Sequence, residues 1–103
     1  MSENEKDIII KSVLSVCKPE LVILYGAKRG MSSGRLKMAS LCIVVNDTDK
    51  NKILHQLYLE MPLDLQVNIK LYTCEEWESL SLDPNSHASW ISEKGVVLYG
   101  SRS

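Results

Sequence analysis

Four basic side chains, Lys28, Arg29, Arg35 and Lys37, crowd a stretch that also holds Gly26, Gly30 and Gly34. No acid occurs anywhere from Ala27 to Val45. Backbone amides of a glycine-bearing turn, together with Lys or Arg, can hold a phosphate without a metal ion. The chemistry on offer is therefore anion binding, with Gly26, Ala27, Lys28, Arg29, Arg35 and Lys37 as candidate ligands. The counterpart is a phosphate-bearing molecule, an acidic protein surface, or solvent alone.

Other reactive residue types are sparse. Cys17, Cys42 and Cys74 are far apart in the chain, with no Cys-x-x-Cys pair and only His55 and His87 as histidines. Zinc needs ligands at short spacings, so the thiols read as reduced and mostly buried. His55 falls beside the apolar stripe of a helix and reads as a boundary residue. His87 has no nucleophile placed near it by sequence. Trp77 and Trp90 lie in late helices, where indole rings serve as core or interface anchors.

The elements that must position these residues follow from periodicity. Asp7 to Lys18 reads as a helix with Ile9, Ile10, Val13, Val16 and Cys17 on one stripe, ended by Pro19. Leu21–Tyr25 and Leu41–Val45 are continuous apolar runs, as in strands buried on both faces. Residues 26 to 37 between them read as a loop. Asp47 or Thr48 caps a helix to about Met61, stopped by Pro62. From Leu63 to Tyr72 apolar and polar residues alternate, which makes a strand with one open face. Thr73 caps a helix to Leu80, with Glu75 and Glu76 in its first turn, where the helix dipole favours acids. Asp83-Pro84-Asn85 is a turn, Ser86 to Lys94 a helix, Gly95 its stop and Val96–Tyr99 a last strand. The order α-β-loop-β-α-β-α-α-β predicts an α/β (α+β) domain, a mixed sheet of three or four strands with helices packed mainly on one face.

One hundred and three residues suit a single domain over 1–103, with 1–6 as a flexible N-terminus. A net charge of −1 gives no global attraction to nucleic acid or membrane. No run of eighteen apolar residues exists to span a bilayer, and the polar, acidic start is unlike a signal peptide. The expected compartment is the cytoplasm.

The run Leu21-Val-Ile-Leu-Tyr-Gly26, the following loop and Leu41-Cys-Ile-Val-Val45 resemble the nucleotide-binding heart of the minimal nucleotidyltransferases, small relatives of DNA polymerase beta. Thr73-Cys-Glu-Glu-Trp77 is similar to the Thr-Pro-Glu-Glu-aromatic step of many of them. Gly95-Val-Val-Leu-Tyr99 is similar to their closing Gly-Val-x-Leu-Tyr. The resemblance covers roughly residues 20 to 100 and implies the nucleotidyltransferase fold.

It also implies a site that this chain does not keep. In the family the first strand ends in Gly-Ser and the second opens with Asp-x-Asp, twelve and fourteen residues after the glycine. A third carboxylate comes from the next strand. Together they hold two Mg²⁺ ions about 3.5–4 Å apart for transfer of a nucleoside monophosphate. The corresponding positions here are Met38, Ser40 and Asn68, and the serine is Ala27. A thioether and two neutral groups are poor ligands for a hard cation, and no register restores the pair. The resemblance then implies a catalytically degenerate protein, without catalytic residues, metal or cofactor, that acts by binding. Its partner would be the phosphate-bearing ligand, a helical protein of the HEPN type as in toxin–antitoxin or regulatory pairs, or a second copy. The alternative is an active nucleotidyltransferase that uses Mg-NTP with ligands supplied from elsewhere.

Overall fold

The computed structural model describes residues 3–32, 34–46 and 49–100. Helix α1 (Glu3–Leu14) leads into strands β1 (Pro19–Arg29) and β2 (Leu36–Val45). Helix α2 (Lys50–Glu60) crosses to β3 (Gln66–Thr73), and α3 (Cys74–Ser81), α4 (His87–Lys94) and β4 (Val96–Gly100) follow. The sheet runs β3-β2-β1-β4, with β2 and β3 parallel and the other two pairs antiparallel. The two apolar runs and the alternating strand are thus neighbours in one mixed sheet of four strands, within the three or four that the order of elements predicts.

Strand alternation splits the interior in two. Val22, Ala39, Leu41, Ile43, Val45 and Ile69 face one way and meet Ile9 and Val13 of α1 and Ile53, Leu57 and Met61 of α2. Leu21, Ile23, Cys42 and Val44 face the other way and meet Trp77 of α3 and Ala88 and Ile91 of α4. Helices therefore cover both faces, two on each, which corrects the expectation of one covered face. The all-apolar runs of β1 and β2 demand this arrangement, since each buries both sides.

Four boundaries also move. Helix α1 starts at Glu3 and ends at Leu14, so residues 3–6 belong to a helix and not to a loose end. Pro19 opens β1 instead of merely ending α1; a strand's first residue is where proline costs no ladder bond. The expected loop 26–37 shrinks to 30–35. Its two ends extend the antiparallel hairpin, closed by Gly30 N–H on Arg35 O (2.9 Å) and Gly34 N–H on Gly30 O (3.0 Å). Gly34 takes φ +68°, a left-handed conformation that glycine adopts without strain. The proposed caps Asp47 and Thr48 lie outside the described residues; the N-cap of α2 is Asp49, with no side-chain cap bond.

The later helices start as their sequence predicts. Thr73 Oγ1 accepts from Glu76 N–H (3.1 Å) while Thr73 N–H donates to Glu76 Oε1 (2.9 Å), a reciprocal capping box. Asn85 N–H donates to Asp83 Oδ1 in the turn, and Ser86 caps α4. Gly95 ends α4 in an extended conformation, φ −76° and ψ 162°. Its smallness serves packing and not a left-handed turn, because a Cβ there would strike the Ile23 side chain and the Ile91 carbonyl.

Strand β3 is an edge, and its exposed backbone is partly closed off. The Tyr58 hydroxyl of α2 accepts the Ile69 N–H at 3.0 Å. An unpaired edge amide is a template for foreign strands, so this bond also lowers the tendency to self-associate.

Candidate functional site

The register lines up residues across the sheet in rows. Gly26, Ser40 and Asn68 form one row; Lys28, Met38 and Gln66 form the next. Both lie on the face of Cys42 and Val44, by alternation along β2. Helices α3 and α4 bury Ile23, Cys42, Leu21 and Val44 on that face. The two outer rows lie beyond this cover: Gly26, Met38 and Ser40 are half-buried, and Lys28, Gln66 and Asn68 are exposed. The result is an uncovered strip of sheet crossing three strands.

A bulge borders the strip. Leu24 pairs with Leu41 and Gly26 with Ser40, so β1 carries one extra residue, Tyr25. Its ring packs edge-on against His87 and Trp90 of α4, with centroids 5.6 and 6.3 Å away. His87 and Trp90 are themselves 5.8 Å apart. Trp90 keeps 47% of its surface exposed, so it is a wall and not a core anchor. Burial, with smaller contributions from neighbouring ionisable groups, raises the Tyr25 hydroxyl above its ordinary range and keeps it protonated at neutral pH. Sequence reasoning missed this trio. The signal available was the i,i+3 spacing of His87 and Trp90, which puts both on one face of α4.

Gly26 suits its place, because a Cβ there would sit 3.3 Å from Ser40 Oγ. Neither row carries a carboxylate. Ser40 and Asn68 offer neutral oxygens and Met38 a thioether, which do not fit Mg²⁺. Among the described residues no three His, Cys, Asp or Glu side chains gather as a metal site. Two of the thiols are poor nucleophiles: burial pushes Cys42 up to about 12 and, with Glu20 and Glu78 nearby, also raises Cys74.

The residues of the basic stretch are divided between the two faces of the sheet. Gly26 and Lys28 face the uncovered strip. Ala27 pairs with the buried Ala39, in register on the opposite face. Arg29 turns to α1, where its Nη1 and Nη2 donate to Glu5 Oε2 and Oε1 at 3.2 and 3.0 Å. Glu5 Oε2 also accepts from Leu36 N–H, and Arg29 Nη1 donates to Gly34 O. The charge that looked uncompensated in sequence thus has an acid opposite it, supplied from 24 residues upstream. Arg29 and Arg35 line a cavity of about 430 Å³ on the α1/α2 face, and Lys37 is exposed beside it in sequence but not part of its lining.

Comparison of the chain with family models, curated proteins and solved structures finds no match. No described helix is long and apolar enough to cross a membrane.

Proposed function

We propose that the chain is a nucleotidyltransferase-fold protein without metal-dependent transfer, and that the uncovered strip binds a phosphate-bearing ligand. The observation that carries this is the row Gly26–Ser40–Asn68 beside Lys28. It occupies the place where the resemblance expects carboxylates, yet offers neutral hydrogen-bonding groups and a cation. Two ionised acids there would repel a phosphate unless metal ions intervened. A hydroxyl, an amide and an ammonium can take the phosphate directly. Gly26 lets the ligand approach the backbone, and the Tyr25–His87–Trp90 wall offers apolar and stacking surface to its organic part. In this reading the chain regulates by binding, alone or beside a helical partner of the HEPN type.

The test is titration of the purified chain with ATP, with Mg²⁺ and with EDTA, followed by calorimetry and pyrophosphate release. Saturable binding that survives EDTA, weakens about tenfold in Lys28→Ala, declines with salt and releases no pyrophosphate supports the reading. Mg²⁺-dependent pyrophosphate release overturns it, as does the absence of binding to both ATP and inorganic phosphate.

A further inference from the structure

A second cation stands at the far end of the strip. Lys70 pairs with Cys42, one row inward of Asn68, and its charge acts on the Cys42 thiol, which sets it on the face of Ser40 and Asn68. Lys28 stands on β1, paired with Met38 in the outermost row. Two strand spacings and the rise from Met38 to Cys42 put the two lysines about 16 Å apart, on a diagonal across the sheet. Side chains stand roughly perpendicular to a sheet, so the two ammonium groups keep a similar separation. Both lysines are exposed, and among the described residues neither forms an ion pair. Ser40 and Asn68 lie along the diagonal between them. The Tyr25–His87–Trp90 wall flanks it, with Trp90 half exposed. Strand β3 is a sheet edge, so the strip is open at the Lys70 end.

We propose that the ligand of the strip is single-stranded nucleic acid, its backbone running from Lys28 to Lys70 and a base turned to the aromatic wall, which rests on the reading of the strip as a phosphate site. One phosphate group cannot meet two cations so far apart. A mononucleotide whose phosphates lie on Lys28 leaves Lys70 unmet. A strand of a few nucleotides carries a charge at every residue and meets both. Ser40 and Asn68 supply hydrogen bonds to the phosphates and sugars between the two lysines. Every base has a π-face to stack on Trp90, so the contact tolerates any sequence. A duplex keeps its bases stacked on one another and cannot offer one to the wall.

Fluorescein-labelled hexauridylate and hexathymidylate are the probes, read by anisotropy on the full chain over a range of salt concentrations. The tighter of the two decides between RNA and DNA. For a single strand, log Kd rises with log salt by about 0.7 per phosphate contact, so the expected slope is about 1.4 in the parent. It falls to about 0.7 in Lys28→Ala and in Lys70→Ala, and close to zero in the double variant. Trp90→Ala weakens binding about tenfold at unchanged slope, as loss of a stacking contact requires. Both lysines are exposed, and an unchanged melting temperature verifies that their variants fold. Binding of neither strand overturns the proposal, as does a slope in Lys70→Ala equal to that of the parent, or equal affinity for a duplex of the same length. ATP titration separates the failures. ATP bound through Lys28 with neither strand bound overturns this proposal alone and leaves the phosphate site standing; no binding of ATP, inorganic phosphate or either strand overturns both.

Discussion

Ser40 and Asn68 face each other across two parallel strands, and that pairing can be turned into a test of descent. Met38→Asp, Ser40→Asp and Asn68→Asp in one variant would supply the carboxylates that the resemblance expects at these positions. The expected outcome is saturable Mn²⁺ binding in the variant and none in the parent, measured by calorimetry on samples that circular dichroism shows folded. A folded variant with no affinity for Mn²⁺ would mean that the frame is not that of a two-metal site. Loss of the half-buried Met38 side chain should cost about 1–2 kcal/mol of stability. At this scale the resemblance was the informative signal: it implies that Ser40 and Asn68 come together, and the parallel pairing of β2 with β3 sets them side by side. The sequence was least informative for Arg29, whose partner Glu5 sits on another element. Charge balance in three dimensions cannot be seen from a stretch of one strand.

At the scale of elements, the capping box of α3 is also a tie to α2. Lys50 Nζ donates to both oxygens of Glu76, at 2.8 and 2.9 Å, while Glu76 accepts from the Thr73 backbone. The Lys50 hydrogen bond first, then the Thr73 N–H, hold the Glu76 carboxyl below its ordinary value of 4.5. A group depressed in the folded state stabilises fully above its unfolded pKa and loses that contribution as pH falls through the folded value. The melting temperature of the parent should therefore exceed that of Glu76→Gln at neutral pH, with the gap closing as pH drops below 4.5. A gap that stays constant under acid would assign the difference to packing. Because the pair is solvent-exposed, the effect is modest. Thr73→Ala, which removes the cap itself, should cost about 1 kcal/mol at neutral pH. Here the Thr73 cap was legible in the sequence, since a cap is local, whereas the return bond from Glu76 and its tie to Lys50 were not. The β1–β2 hairpin was not. Gly26 marks the end of a strand in isolation, but antiparallel pairing with Leu36–Ala39 overrides that signal and carries β1 on to Arg29.

Across the whole molecule, the same two apolar strands that revealed the sheet also held the answer about its faces. A run such as Leu41-Cys-Ile-Val-Val45, all of it buried, needs cover above and below. The alternation of Gln66–Thr73 drew attention to one open face, and that inference holds only for the edge where β3 lies. Helices α3 and α4 are short, at eight residues each. They seal the inner part of their face and leave the outer rows bare, a matter of helix length and placement that no local pattern encodes. The uncovered strip thus arises from this architecture: α3 and α4 stop short of the outer rows, while on the other face α1 reaches the hairpin through Glu5.

One consequence concerns the order in which this chain is made. Strand β1 pairs with β2 soon after both are synthesised, but its other edge, Leu21–Leu24, waits for Val96–Gly100. More than seventy residues must follow before that flank is closed. Pairings so distant in sequence form late, because loop closure must be met before the contacts reward it. During that interval an apolar strand of the nascent protein presents an unpaired edge. Chaperone binding and ribosome-bound aggregation should both concentrate on Leu21–Leu24, and end when β4 docks.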